Sequence, residues 1–327
     1  MRPFAYARPT DPAEAVELVT STDGATYLAG GTNLVDLMKL GATRPTMLVD
    51  VGGLGFDTVD ELDDGGLRIG GTARNSDVAG HPAVRRGHPL LAMALLAGAS
   101  GQVRNMATIA GNLLQRTRCG YFQDASKPCN KRAPGSGCPA RDGDHRNLSI
   151  VGGSEACIAN HPSDMAVAFA ALDASVVVRT RDGRRIIPID DFYRLPGDSP
   201  DRDTVLERGW LIEAVEVPPA AEGARVAYRK VRERASFAFG LASLAASLVT
   251  DGDRAVDVRL ALGAVAPKPW RARIAEAALV GGPLTEETVA SAIDAELAVA
   301  TPLPGNAFKV PLVRRLVVGT VTGMVGR

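Results

Sequence analysis

An α+β fold is what this sequence predicts, and three observations lead to it. Two β-prone runs at 175–181 and 185–189 flank Asp182-Gly183, the dipeptide of a tight antiparallel hairpin. Three more strand candidates, at about 225–233, 239–250 and 254–264, follow one another with no helix between them, the last two joined by Asp251-Gly252-Asp253. Helical periodicity then takes over at about 271–279, 285–299 and 307–324. Strands that follow strands and helices that follow helices place helices on largely antiparallel sheets.

The first forty residues read as strand, helix, strand, loop, helix. The first helix, 12–21, opens at Thr10-Asp11-Pro12, where a capping residue and an early proline precede Ala15, Val16, Leu18 and Val19. A short β-prone run at 25–29 ends in Gly30-Gly31-Thr32-Asn33, after which Leu34, Leu37, Met38 and Leu40 recur at helical spacing. A strand, glycine turn and helix in that order can bring backbone N–H groups and a positive helix end to a phosphate; equally, it can be a tight turn with a threonine cap. A second glycine loop lies at Asn105-Met106-Ala107-Thr108-Ile109-Ala110-Gly111-Asn112. Neither loop carries the G-x-G-x-x-G or G-x-x-x-x-G-K-[ST] pattern, so a Rossmann-type NAD site and a nucleotide triphosphatase do not follow. The strand 211–217 ends at Pro218-Pro219, and with Ala220-Ala221-Glu222-Gly223 this marks a boundary between an expected domain at 1–219 and another at 224–327.

All four cysteines, Cys119, Cys129, Cys138 and Cys157, stand in one window rich in Arg, Lys, Gly and Pro. Thiols gathered in one irregular stretch, with none elsewhere, read as ligands of one object. Their spacing lacks the C-x2-C knuckles of tetrahedral zinc sites, whereas an iron-sulfur cube tolerates wide spacing and a turn-rich loop such as 128–138. Zinc, disulfides and idle thiols remain the alternatives. Arg116, Arg118, Lys127, Lys131, Arg132 and Arg141 would offset the negative charge of a thiolate-ligated cluster, or else form a solvated loop.

Elsewhere the composition is ordinary for a globular chain, with 46% hydrophobic residues and 37 basic against 37 acidic side chains. That balance points to neither nucleic acid nor acidic lipid as a partner. No stretch has the length of a signal or of a membrane span, so the expected location is cytoplasmic by its own sequence, with export to the periplasm open through a signal-bearing partner.

Four motifs in order, Leu28-Ala29-Gly30-Gly31-Thr32-Asn33-Leu34, Thr108-Ile109-Ala110-Gly111-Asn112, His161-Pro162-Ser163-Asp164 and Tyr228-Arg229-Lys230-Val231-Arg232, resemble the FAD-binding subunit of the xanthine dehydrogenase family over almost the full length. The cysteine window narrows the match. Most members pass directly from the second glycine loop to the Pro-Ser-Asp motif, while here about forty residues intervene, at about 115–158. That insertion looks like the [4Fe-4S] loop in the FAD subunit of heterotrimeric periplasmic aldehyde oxidoreductases, the match being carried by Gln115-Arg116-Thr117-Arg118-Cys119, Cys129-Asn130-Lys131-Arg132 and Pro134-Gly135-Ser136-Gly137-Cys138.

The resemblance implies a two-part FAD-binding domain of the vanillyl-alcohol-oxidase type with an iron-sulfur insertion, followed by a smaller α+β domain. It implies FAD and a [4Fe-4S] cluster as cofactors, the latter on Cys119, Cys129, Cys138 and Cys157. Gly30, Gly31, Thr32 and Asn33 would hold the pyrophosphate of FAD, with Leu28, Ala29 and Leu34 as further cofactor-binding positions, and Thr108, Gly111 and Asn112 would line the second side of the groove. Asp164 would accept from ribityl or ribose hydroxyls, or cap its helix; Lys230 would approach the flavin ring, and Ile212 is a further cofactor-binding position. The implied partners are a large molybdenum-cofactor subunit that oxidises an aldehyde and a small [2Fe-2S] subunit. Ferredoxin, quinone or oxygen is expected as external acceptor in preference to NAD. Two rivals remain: a self-contained flavin oxidase, which needs a base from His81, His88, His145 or His161, and an assembly subunit with a four-cysteine zinc site.

Overall fold

The computed structural model describes residues 1–325; Gly326 and Arg327, the end of the expected second domain, lie outside the described residues. Three sheets organise the chain. The N-terminal one is parallel, with Met47–Asp50 between Ala5–Ala7 and Ala25–Leu28. In this it departs from the antiparallel expectation. The helix Pro12–Ser21 supplies the crossover that parallel pairing requires. Asp11 caps it by accepting from Ala13 N (2.7 Å) and Glu14 N (3.2 Å), and Ala15, Val16 and Val19 form its buried stripe.

The second sheet is antiparallel and runs Val59–Glu61, Leu67–Gly70, Leu211–Val217, Ser175–Thr180, Gly183–Pro188. Leu211–Val217 lies at its centre, which is why six of its seven residues are buried, Glu213 among them with Arg179 and Arg184 as its partners. The hairpin turn is at Arg181-Asp182 rather than Asp182-Gly183, because Gly183 already pairs with Thr180 at φ 122°. One core lies between this sheet and the helices Pro89–Ala97 and Asp164–Ala171, with Phe169 and Phe192 fully buried. Ser163, not Asp164, caps the second of these helices, its Oγ accepting from Ala166 N at 3.0 Å. Asp164 therefore occupies the first helical position, where its charge meets the helix dipole favourably.

The third sheet, Trp270–Arg271, Arg254–Gly263, Ala242–Asp251, Arg225–Val231, is antiparallel. Arg273–Leu279, Glu286–Glu296 and Lys309–Val325 pack on it around a second core. The first of these helices starts two residues later than its periodicity suggests because Trp270–Arg271 pairs as a short strand. A further strand expected from 239 begins at Ala242, since 232–241 form a loop. Ala245 and Ala261 of the third sheet lie in the same core as the second sheet, so these two parts are packed together. Among the described residues no helix is long and apolar enough to cross a membrane.

Candidate functional site

The two glycine loops meet. A Cβ on Gly30 would lie 1.9 Å from the Met106 carbonyl oxygen, so only glycine lets the first loop lie against the second. Gly31 takes φ 71°, the left-handed conformation that turns the chain into the helix Leu34–Leu40. On the other side, Thr108 caps the helix Ile109–Leu113 by accepting from Gly111 N at 3.3 Å. Asn112 then ties this loop to the next element, its Oδ1 accepting from Ser163 Oγ at 2.7 Å.

Between these loops and the third sheet lies a crevice of about 580 Å³. Thr32, Asn33, Gly111, Asn112, Asp164 and Lys230 line it, bringing together residues from all four motifs. The remaining expected residues stand behind the wall. Leu28 ends its strand, Ala29 packs in the N-terminal core, and Gly30, Gly31 and Leu34 shape the turn. Thr108 spends its hydroxyl on its cap, and Ile212 is buried in the central strand with its carbonyl against Gly71.

At the far end of the crevice, Lys230 Nζ donates to Asp164 Oδ2 at 2.7 Å and Tyr228 donates its hydroxyl to Asp164 Oδ1 at 2.7 Å. Both ion-pair side chains are at most a tenth exposed. Burial, with the Asp164 charge beside it, pushes the Tyr228 hydroxyl well above its usual range, so it remains a donor.

Among the described residues, three buried polar atoms of the crevice lining have no partner: Asn33 Nδ2, Asn75 Oδ1 and Arg118 Nε. Leaving such atoms unpaired costs about 1–3 kcal/mol each, a cost that a polar ligand in the crevice would remove. Asn75 and Arg118 were not expected in the FAD site from sequence. Asn75 opens a short helix in a segment without a recognisable motif, and Arg118 read only as a cation beside a cysteine. The Arg118 guanidinium lies 5.0 Å from the Phe239 ring centroid, and burial lowers its pKa while Asp36 opposes that change.

The cysteine stretch forms a separate centre. All four thiols are free and line one small cavity; Cys119, Cys129 and Cys157 are buried. The loop is braced by its own hydrogen bonds: Ser136 Oγ accepts from Cys129 N at 2.9 Å, and the Asn130 side chain spans Gly137 N (2.7 Å) and Ala156 O (3.0 Å). Burial raises the Cys119 thiol and pushes Cys157 up to about 11, an effect that Lys131 partly offsets for Cys157. Among the described residues no three His, Cys, Asp or Glu side chains form a set that would hold a single metal ion.

Residues 2–220 match the family model of the FAD binding domain in molybdopterin dehydrogenase, and residues 212–323 that of the CO dehydrogenase flavoprotein C-terminal domain. The chain is 52% identical to the aldehyde oxidoreductase FAD-binding subunit of Escherichia coli over 316 residues, 96% of each chain. It is 27% identical to the glyceraldehyde dehydrogenase medium chain of Sulfolobus acidocaldarius, covering 88% of this chain and 84% of that one. It also resembles the carbon monoxide dehydrogenase of Hydrogenophaga pseudoflava that lacks the Mo-pyranopterin moiety of its molybdenum cofactor, with TM-score 0.78 and 26% identity over 100% of this chain and 99% of that one.

Proposed function

The chain belongs to the FAD-binding subunits of the xanthine dehydrogenase family of multi-subunit oxidoreductases, and on that premise we propose that it is the electron-transfer flavoprotein of a molybdenum-dependent aldehyde oxidoreductase. The observation that carries this reading is the crevice, where four ordered motifs converge and three buried polar atoms stand without partners. Bound FAD supplies the exchange between one-electron and two-electron steps. The protein's part is to hold and bias it. Gly30 allows the two loops to close on the pyrophosphate side, and Asn33, Asn75 and Arg118 supply unused polar groups. Asp164 has acceptor capacity left after serving Lys230 and Tyr228, because each carboxylate oxygen has two lone pairs. Lys230 keeps a buried positive charge at that end, favouring an electron-rich ring.

The second cofactor in this proposal is a [4Fe-4S] cluster on Cys119, Cys129, Cys138 and Cys157. What supports this reading is the donor set: four free thiols line one small cavity in a loop braced by its own hydrogen bonds, one thiolate for each iron. We assign a large molybdenum-cofactor subunit and a small [2Fe-2S] subunit as partners and electron donors, with ferredoxin, quinone or oxygen preferred to NAD as acceptor. The division at about 219–224 belongs to the same proposal. The self-contained oxidase gains nothing from the geometry, since no histidine lines the crevice. His161 is buried with its ring 4.6 Å from Tyr193, and burial pushes its pKa down to about 4.

Visible absorption of the full chain before and after anaerobic reduction tests both cofactors. A flavin band riding on a broad shoulder that bleaches supports the proposal, and a flavin band with no chain-bound iron removes the cluster. In the whole complex, Cys129→Ser with unchanged iron and turnover would remove Cys129 as a ligand of a functional cluster. Efficient NAD reduction would overturn the acceptor preference.

A further inference from the structure

Six cations surround the cysteine stretch in sequence, but the fold gives them different tasks. Arg132 donates to the carbonyl oxygens of Tyr121, Phe122 and Lys127, so it fastens the loop backbone. Arg141 donates to Ser154 O at 3.2 Å and pairs with the exposed Glu155 at 2.9 Å. Lys127 is exposed, and Arg118 turns into the flavin crevice. Lys131 alone among the six lines the cavity that the four thiols share.

Its ammonium is locked in place. Lys131 is 7% exposed, Nζ donates to Pro200 O at 2.7 Å, and it forms an ion pair with Asp203. Asp203 is shared with Arg116, whose Nε lies 2.6 Å from Oδ2. Two cations on one carboxylate leave a net charge of +1, and Asp203 lies on the segment after the second sheet's hairpin, far from the loop in sequence. The same Arg116 donates its backbone N–H to Asn33 Oδ1 at 2.8 Å and stacks over Phe122 at 5.0 Å. One connected set therefore runs from the wall of the flavin crevice to the thiol cavity. Of the two cations on Asp203, Lys131 is the more buried, its side chain 6% exposed against 32% for Arg116, and it alone of the two lines the thiol cavity.

Building on the cluster reading above, we propose that Lys131 is a positioning residue that fixes one positive charge against the four-thiolate site and thereby makes that site easier to reduce. Reduction adds one electron, from dithionite in the test below, and makes or breaks no bond. A fixed cation favours the more negative reduced state, and low solvent exposure keeps its field from being screened.

The test is an EPR-monitored dithionite titration of the full chain in its complex, with iron content measured and the flavin potential followed as an internal control. Lys131→Met is expected to keep its iron and to lower the cluster's reduced-to-oxidised ratio about tenfold at the wild-type midpoint, a shift of about 59 mV for one electron. Lys131→Arg is expected to restore most of it, and the flavin potential to stay unchanged. Asp203→Asn removes the opposing anion and is expected to shift the cluster the other way, so the proposal stays testable if Lys131→Met does not fold. An intact cluster with an unmoved potential in Lys131→Met, or in Asp203→Asn where that is the variant that folds, overturns the role of Lys131 alone. Wild-type protein without chain-bound iron overturns the cluster reading and this proposal with it.

Discussion

Replacing Lys230 by Met is expected to destabilise the ligand-free chain by about 2 kcal/mol, and the structure shows where that figure comes from. Removing one partner of a buried ion pair costs about 3–5 kcal/mol because the other charge is left uncompensated. Here the side chains of Lys230 and Asp164 are 6% and 10% exposed, so the pair is buried. Two features soften the loss for Asp164. It keeps the Tyr228 hydroxyl at 2.7 Å, and it sits at the first position of the helix Asp164–Ala171, where the dipole stabilises an anion by about 0.3–1 kcal/mol or somewhat more when buried. At about 2–4 °C per kcal/mol for a large domain, the melting temperature should fall by about 4–8 °C. Asp164→Asn should cost a similar amount, and the double variant less than the sum, leaving a coupling energy of about 2 kcal/mol. Thermal and urea unfolding of the four proteins at pH 7 measures this, and quenching of FAD fluorescence measures binding in parallel. Asp164→Asn should also weaken FAD binding about tenfold, the effect of one charged acceptor. Strictly additive stabilities would refute the reasoning, because they would mean that the pair is solvated and contributes nothing.

Three other expectations follow from the same geometry. Gly30→Ala places a Cβ 1.9 Å from Met106 O, so the loops must part; FAD content of the purified protein should fall at least tenfold, with about 1–3 kcal/mol lost in urea unfolding. Arg118→Met removes a buried guanidinium that has no carboxylate partner, so FAD affinity at low salt should fall about tenfold and lose part of its salt dependence while the ligand-free chain is no less stable. Lys309 is fully buried on the carbonyl oxygens of Leu148 and Ala264, and burial pushes its pKa from 10.5 down to about 7. Above pH 7 the unfolded chain binds the proton that the folded chain has released, so wild-type stability should rise from pH 7 towards 10.5. Lys309→Met should be more stable than wild type by about 2–4 kcal/mol at pH 6 and lose that advantage by about pH 10, and parallel urea profiles would contradict the assignment.

Much of the architecture was legible because the signals were local. Asp11-Pro12 announced the first helix, the run 211–217 announced a strand, and Asp182-Gly183 located the hairpin to within one residue. The parallel sheet was harder to read. Its central strand Met47–Asp50 is four residues long and pairs with neighbours some twenty and forty positions earlier, so nothing beside it in sequence marks it.

Sequence alone sets which residue types are available to the flavin crevice and to the thiol cavity. Glycine at position 30, an amide at 33, a carboxylate at 164 and four thiols in one stretch are chemical facts that no folding rearrangement alters. Tertiary structure alone decided how they are used. It pressed Gly30 against Met106, paired Asp164 with Lys230 across 66 positions, and brought Asn75 into the crevice from a segment with no motif. It also separated six similar cations into backbone fasteners, a solvated group, a crevice residue and the two that share Asp203, of which Lys131 is buried. Hydrogen bonds and ion pairs form only between groups a few ångströms apart, and those distances exist only once remote segments have packed.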